Sequence, residues 1–199
     1  MEYHNPVLLK ETVDGLNCIP DGVYVDVTFG GGGHSREILN RLGKKGVLVS
    51  FDQDDDALAN RIDDPRFVLV NANFRFLINF MKFYDLMEAD AILADLGVSS
   101  HQFDTGDRGF SIREEGKLDM RMNKNATLSA HKVINHYSEI DLFRIFNSYA
   151  DLQNTKKVVF AINKARRKAP INTTKELVDL LGELVPPQKR HQFLVKFGS

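Results

Sequence analysis

The first hundred residues alternate short apolar runs with stretches of helical periodicity. Runs rich in β-branched and other apolar side chains predict four buried strands, at residues 23–28, 47–51, 67–70 and 91–94. Residues 35–42 and 74–87 have apolar positions at helical spacing, and an acidic cluster at residues 54–56 stands where a further helix should begin. Strands that alternate with helices imply parallel pairing through right-handed crossovers. The pattern predicts an α/β fold containing half of a doubly wound sheet.

The second half of the chain has a different pattern. Residues 97–125 are rich in Gly, Asp, Arg and Ser and predict a long ordered loop, a feature that is usually functional in compact domains. Residues 129–197 predict helices that are interrupted at Ala169-Pro170 and at Pro186-Pro187, with no strand among them. We therefore expect two domains, residues 1–102 and residues 103–199.

Composition and charge narrow the classes of function. Hydrophobic residues make up 43% of the 199 residues, and the chain has 26 basic and 27 acidic residues. This balance excludes a strongly basic surface. If the chain binds nucleic acid, its basic residues must be concentrated on one face. Cys18 is the single cysteine, which excludes an internal disulfide or a Cys-rich zinc site and fits a reducing compartment. His4, His131, His136 and His191 have no partner at metal-ligand spacing, and no metal site is predicted. We also expect no signal peptide and no membrane span.

A glycine-rich segment lies between the first predicted strand and its helix, with the sequence Asp26-Val27-Thr28-Phe29-Gly30-Gly31-Gly32-Gly33-His34-Ser35. Glycines let the backbone turn tightly and approach a ligand, and the following helix N-terminus offers free N–H groups. Gly30 and Gly32 fit the first two positions of the dinucleotide fingerprint, but Ser35 occupies the third. The alternative is a tight turn without a ligand.

Two aspartates follow predicted strands at the carboxyl edge, where α/β sheets bind ligands. Asp52 comes 19 residues after Gly33, the spacing at which an acid accepts both ribose hydroxyls of an adenosine ligand. Asp95 ends the fourth strand and is placed to accept hydrogen bonds from an amine. The alternatives are a helix-capping Asp52 and a loop-capping Asp95. Together with Ser35, these acids favour S-adenosylmethionine over a nicotinamide cofactor, although a nicotinamide-dependent oxidoreductase stays a competing hypothesis.

Two basic segments are candidates for contacts with RNA. In the long loop, Arg108, Phe110 and Arg121 suit stacking on a base and pairing with phosphate; the alternative is a loop pinned by one buried aromatic ring. In a predicted helix, five basic residues fall within a 120° arc, opposite Val158, Ile162 and Ala165; they are Lys156, Lys157, Lys164, Arg167 and Lys168. Such a face suits contact with an RNA backbone, and the alternative is an ordinary solvated helix face.

Five motifs in order resemble the bacterial ribosomal RNA small-subunit methyltransferase H family, also called MraW. They are the segment from His4-Asn5-Pro6 to Glu11, the glycine-rich segment, the segment from Asp95 through Ser99-Ser100 to Gln102 and Asp104, Arg108-Gly109-Phe110-Ser111, and Leu118-Asp119-Met120-Arg121-Met122. The resemblance implies a Rossmann-like methyltransferase that uses S-adenosylmethionine. It implies methylation of the exocyclic N4 of one cytidine in small-subunit (16S) ribosomal RNA, either as free RNA or in a ribosomal particle, in the cytoplasm.

The same resemblance implies roles for individual residues. Gly32, Gly33 and His34 would contact the cofactor at the loop, and Asp52 would hold its ribose. Phe74 would lie by the adenine. Asp95 and Gln102 would lie near the amino-acid part and the methyl group of the cofactor, and Asp95 is the candidate catalytic residue. The helical stretch after residue 103 would grip RNA. Asn123 departs mildly from the family pattern, as do Tyr149-Ala150-Asp151.

The family continues for about a hundred residues beyond the point matched by Phe193, and that part carries further strands. The resemblance therefore predicts an incomplete sheet of about four strands. The fourth strand would be an exposed edge at which a second copy of the chain could pair to form a homo-oligomer. A truncated paralogue that binds S-adenosylmethionine or RNA without turnover is the alternative function.

Overall fold

The computed structural model describes residues 6–99, 102, 106–111, 113–150 and 154–198, with side chains described as far as residue 194. The chain divides into two compact units. The sheet unit comprises Met1–Gly97 and Met122–Lys124, and the helical unit comprises Val98–Arg121 and Asn125–Ser199.

The sheet unit is built on four parallel strands in the order β3-β2-β1-β4. Their bounds are β1 Val23–Asp26, β2 Val47–Asp52, β3 Phe67–Asn71 and β4 Ala91–Leu93. Asp26 at the end of β1 is in register with Ser50 on β2 and with Leu93 on β4. The predicted α/β, Rossmann-like fold with four strands is confirmed.

Helices cover both faces of this sheet. On one face, Tyr24 and Leu48 pack against helices α1 (Leu9–Gly15) and α2 (Gly33–Arg41) through Val13 and Ile38. On the other face, buried residues of β1, β2 and β3 pack against Met81 of α3 (Leu77–Phe83). Burial on both faces explains why these strands are continuous apolar runs rather than alternating ones.

Two predicted helices of the sheet unit differ from the observed elements. The acidic cluster begins a short 3₁₀ helix, Asp55–Asn60, in which the Asp54 carboxylate accepts a hydrogen bond from the Asp56 amide. The stretch predicted at residues 74–87 divides into a 3₁₀ turn, Phe74–Phe76, and α3. The helix ends early because Asp85 adopts a left-handed backbone (φ 57°) that turns the chain towards β4.

Five α-helices of the helical unit have both ends among the described residues. They are α4 Ala130–His136, α5 Glu139–Tyr149, α6 Thr155–Arg166, α7 Thr174–Gly182 and α8 Arg190–Gly198. The breaks predicted at Ala169-Pro170 and at Pro186-Pro187 fall between α6 and α7 and between α7 and α8, as expected. A further break between α4 and α5 was not predicted; there, the Ser138 hydroxyl caps α5 by accepting from the Asp141 amide. Across the described ranges, no helix combines the length and the apolar character that crossing a membrane requires.

Candidate functional site

The glycine-rich segment makes a tight turn at the carboxyl end of β1. Gly30 and Gly32 have positive φ angles of 50° and 76°, which side chains with a Cβ rarely adopt. The Phe29 amide donates to the Phe51 carbonyl (3.0 Å), and the Gly32 amide donates to the Phe29 carbonyl (2.7 Å). A Cβ at Gly33 would collide with the Pro6 ring. The turn therefore depends on glycine at these positions, and no side chain projects from them.

A buried polar network beneath this turn joins β1, β2 and α2. The Asp26 carboxylate accepts hydrogen bonds from the Thr28 amide (3.0 Å), the Thr28 hydroxyl (3.3 Å) and the Ser35 hydroxyl (2.7 Å). The Ser35 and Ser50 hydroxyls are 2.9 Å apart, and Asp26, Ser35 and Ser50 have no solvent exposure. Burial raises the pKa of Asp26, while the donors from Ser35 and Thr28 act against that rise. Ser35, which breaks the dinucleotide fingerprint, is thus a structural partner of Asp26.

Asp52 ends β2 and supports the glycine turn directly. Its carboxylate accepts from the Gly30 amide (2.8 Å) and from the Asp54 amide (2.9 Å). Burial raises the pKa of Asp52, and these two backbone donors oppose the rise. Because each carboxylate oxygen has a second lone pair, Asp52 can still accept hydrogen bonds from a ligand. The ribose contact stays a prediction.

Asp95 lies beyond the end of β4, with an exposed side chain. Its backbone amide donates to the Thr28 hydroxyl (2.8 Å), which in turn donates to Asp26. Asp52 and Asp95 each lie two residues beyond the partners of Asp26 on the strands that flank β1. The sheet therefore places both acids at its carboxyl edge, one on each side of the glycine turn.

His34 carries the clearest sign of a missing partner. Its side chain is only 6% exposed, and Nε2 has no hydrogen-bond partner in the described part of the chain. A buried polar atom without a partner costs about 1–3 kcal/mol, and a ligand that supplies the missing hydrogen bond would recover that cost. This atom therefore points to a polar ligand group beside the N-terminus of α2.

Phe74 offers an exposed ring near the end of β3. It is 41% exposed at the start of the 3₁₀ turn, where the Asn73 side chain accepts from the Arg75 amide. The Asn73 amide group also donates to the Gln53 side chain (2.9 Å), which ties the turn to the residue that follows Asp52. Phe74 is held close to the end of β2, and a flat ring there suits a purine base.

The long-loop candidates in the helical unit are engaged in contacts that hold the loop together. Arg108 is buried, donates to the Arg121 carbonyl (3.0 Å) and lies 5.9 Å from the half-buried Phe110 ring. Arg121 donates to the Asp119 carboxylate (2.6 and 2.7 Å) and lowers its pKa. These contacts favour the alternative of a pinned loop, and RNA contact by the three residues stays a prediction.

Gln102 is also buried in the helical unit. Its side-chain oxygen accepts from the Ser99 amide (2.9 Å), and its amide donates to the Ser99 carbonyl (3.0 Å). Its cofactor role stays a prediction. Four residues of the quoted motifs, together with part of a noted departure, lie outside the described residues: His4, Asn5, Ser100, Asp104 and Asp151.

The basic face of α6 forms one wall of a groove in the helical unit. Lys156, Lys157 and Lys164 of α6, and Lys168 just beyond its end, are exposed and line this groove, which has a volume of about 940 Å³. Arg167 points instead towards Glu139, with 3.6 Å between their charged groups. Val158 and Ile162 are fully buried as predicted, whereas Ala165 is half-buried and lines the groove.

The acidic side of this groove and the exposed ring of Phe160 beside the lysines were not predicted from the sequence. Three acids line the groove: Glu176 and Asp179 of α7, and Glu183, which directly follows α7. Phe160 of α6 also lines it and is 69% exposed. A helical projection places Phe160 at the centre of the basic arc, so the signal was present in the sequence.

Comparison with known proteins decides the family. The sequence profile of the MraW methylase family matches residues 1–196. The chain belongs to this family. Among its relatives, the "Ribosomal RNA small subunit methyltransferase H" proteins of Christiangramia forsetii and Flavobacterium johnsoniae are 56% and 55% identical over 196 residues. The protein of the same name from Bacteroides thetaiotaomicron is 53% identical over 196 residues.

These alignments cover 98% of the chain but only 64–65% of each relative. The chain therefore spans a little under two thirds of the length of these MraW relatives.

Proposed function

We propose that this chain binds S-adenosylmethionine and takes part in methylating the N4 amine of a cytidine in 16S ribosomal RNA. The match to the MraW family over residues 1–196 carries the proposal. The names of the relatives supply the ribosomal RNA substrate. The N4 position comes from the resemblance described above. We expect the reaction in the cytoplasm, on free RNA or on a ribosomal particle.

The sheet unit fits the proposed cofactor. The glycine turn carries no side chain at residues 30–33, the buried His34 Nε2 lacks a partner among the described residues, and Asp52 retains free acceptor capacity. We propose that Gly32, Gly33 and His34 bind the cofactor at the turn, that Asp52 accepts from its ribose and that Phe74 stacks beside its adenine. When bound, S-adenosylmethionine supplies a methyl group that its sulfonium already activates, so no metal is required for this chemistry.

Asp95 is the proposed contact for the amine that is methylated. Its carboxylate is exposed at the carboxyl edge, while its backbone is anchored through Thr28 to the buried Asp26. A carboxylate fixed in this way can accept hydrogen bonds from an exocyclic amine and orient the nitrogen lone pair. Positioning of this kind can supply much of a group-transfer enzyme's rate enhancement.

We also propose that the lysines of α6 contact the RNA backbone and that β4 can mediate self-association. Lys156, Lys157, Lys164 and Lys168 present positive charge on one face, although the chain as a whole is nearly neutral. β4 has β1 as its sole neighbour in the described sheet and exposes Ile92. Sedimentation of the wild-type chain and of Ile92→Lys would test self-association: loss of an oligomer in the variant supports it, and a wild-type monomer at all concentrations contradicts it.

Cofactor binding is tested by isothermal titration of the chain with S-adenosylmethionine. Asp52→Ala should weaken binding by roughly 1.5–3 kcal/mol, because hydrogen bonds to a charged group are lost. Asp63→Ala, at an exposed acid of the same unit, is the matched control and should leave the dissociation constant unchanged. Thermal unfolding of each variant separates loss of the site from loss of the fold. A folded wild-type chain that does not bind would refute the cofactor proposal.

Catalysis is tested separately with small-subunit particles and S-adenosylmethionine that carries a labelled methyl group. Nucleoside mass spectrometry should identify N4-methylcytidine, and Asp95→Ala should abolish its formation while cofactor binding persists. Label on another nucleoside would contradict the N4 assignment. Cofactor binding without any transfer would instead support the second candidate function, a binding module without turnover.

A further inference from the structure

Phe160 lies in the middle of the basic face of α6. Residues three and four positions away on a helix surround a side chain, and for Phe160 these include Lys156, Lys157 and Lys164. All three lysines are exposed, and the Phe160 ring is 69% exposed. The core contacts of α6 are made by its other face, through Val158, Val159 and Ile162. Phe160 is therefore an aromatic ring that the core does not use, surrounded by cations.

The groove beside Phe160 has a basic side and an acidic side. Its α6 wall is cationic, and its α7 wall carries the carboxylates of Glu176, Asp179 and Glu183. The groove also has an apolar lining, which includes Ala161, Ala165, Leu180 and Leu184. A phosphate would be attracted to the lysines and repelled from α7, whereas a neutral, flat base could lie on the apolar lining. Carboxylates accept hydrogen bonds from exocyclic amines of bases, so the acidic wall is compatible with a base but not with a phosphate.

We propose that Phe160 and the three lysines around it form a binding site for single-stranded RNA. One base stacks on the Phe160 ring and enters the groove, and the flanking phosphates contact Lys156, Lys157 and Lys164. Single-stranded RNA is required because the bases of a duplex are stacked on one another and do not present their faces. This inference rests on the proposed function, since it takes RNA as the substrate, and it adds a base-stacking residue to the predicted phosphate contacts.

The stacking itself can be observed because the chain contains no tryptophan. Phe160→Trp places a single fluorophore in the groove, and a base that stacks on it should quench its emission. Tyr149→Trp, at an 82% exposed position of the same unit, is the matched control. An unlabelled 12-nucleotide oligocytidylate should quench the fluorescence of Phe160→Trp but not of Tyr149→Trp. Inorganic polyphosphate, which carries negative charge without bases, should compete for the lysines without quenching.

Binding measurements then separate stacking from charge. Fluorescence anisotropy of labelled oligocytidylate should show that Phe160→Ala weakens binding by about 5- to 100-fold, with an unchanged salt dependence because no phosphate contact is lost. Lys164→Gln should instead lower the slope of the logarithm of affinity against the logarithm of salt concentration by about 0.7. Tyr149→Ala should match the wild-type chain, and the affinity for duplex RNA of equal length should not change in Phe160→Ala.

Each contrary outcome has a distinct meaning. If the wild-type chain binds oligocytidylate but Phe160→Ala binds equally well, stacking is overturned while RNA binding by the lysines stands. If the wild-type chain binds no RNA, both the RNA part of the proposed function and this inference fail. If the emission of Phe160→Trp shifts with protein concentration and not with RNA, the groove holds a second copy of the chain, and the inference is overturned.

Discussion

The buried pair of Asp26 and Ser35 allows a quantitative test of the site's architecture. Ser35→Ala removes the donor to one Asp26 oxygen and a partner of the Ser50 hydroxyl, in a network with no solvent exposure. A hydrogen bond to a charged group contributes about 1.5–3 kcal/mol, and Ala is a better helix former than Ser by about 0.5 kcal/mol. The free energy of unfolding should therefore fall by about 1–2.5 kcal/mol at pH 8.

At acidic pH, Ser35→Ala should lower the free energy of unfolding by less than it does at pH 8. Burial raises the pKa of Asp26 above its ordinary value of 3.8, so between 3.8 and the raised pKa the folded chain holds a proton that the unfolded chain releases. The contribution of Asp26 to stability therefore falls as pH rises through this range and levels off above it. Because Ser35 favours the ionised form, its removal raises the pKa of Asp26 further and widens the range. Towards pH 4, as Asp26 becomes protonated, the loss should shrink; a neutral hydrogen bond, less the same helix-propensity difference, contributes about 0–1 kcal/mol.

Urea unfolding followed by circular dichroism, at pH 4 and pH 8, measures both values. The control is a double-mutant cycle with Asp26→Asn, which keeps the shape of the side chain but removes the charge. In that background, Ser35→Ala should lower the free energy of unfolding by about 0–1 kcal/mol at both pH values. A Ser35→Ala loss that is independent of pH in the wild-type background, or equal in both backgrounds, would refute the charged pair.

Three further predictions test other parts of the structure. Thr28→Val removes the hydroxyl that links Asp26 to the Asp95 amide and should lower the free energy of unfolding by about 1–3 kcal/mol. Thr28→Ser keeps the hydroxyl and should lower it by less than about 1 kcal/mol. Equal losses for the two variants in urea unfolding would contradict this link. Gly109→Ala should lower the free energy of unfolding by more than about 1 kcal/mol, because Gly109 has a φ of 75° and a Cβ there would collide with the Lys117 carbonyl. Gly15→Ala is the control: a Cβ at Gly15 meets open space, so this variant should be neutral or stabilising in thermal melts. Asp64→Asn should lower the melting temperature at pH 7, because the hydrogen-bonded Arg66 lowers the pKa of Asp64 to about 2 in the folded chain. The difference in melting temperature from wild type should close as pH falls from 3.8 towards 2, where wild-type Asp64 also becomes protonated. A difference that persists at pH 2 would contradict this.

The sequence predicted the sheet well because strand signals are local. The four strands, the glycine turn after β1 and the breaks at both proline sites are properties of short segments, and the structure has all of them. The placement of Asp52 and Asp95 at the carboxyl edge also followed, because parallel strands bring their ends to one side. The length of α3 did not follow, since helical periodicity continues through Asp85 although the backbone turns there.

The sequence did not predict which polar and charged side chains contact one another. Ser35 is 15 residues from Ser50, and Arg167 is 28 residues from Glu139, so neither contact has a local signature. In the same way, the exposure of Phe160 and the acidic wall that faces it depend on how α6 packs against α7.

The order of apolar and polar residues, by itself, determined the α/β alternation, the glycine turn and the ends of the strands, because these depend on backbone preferences and on burial within short segments. Tertiary structure alone decided that Ser35 supports a buried aspartate, that His34 Nε2 is left without a partner among the described residues, and that a basic helix face opens onto a groove with an acidic opposite wall. Hydrogen bonding and desolvation act between residues that are distant in the chain, and only the packed structure brings those residues together.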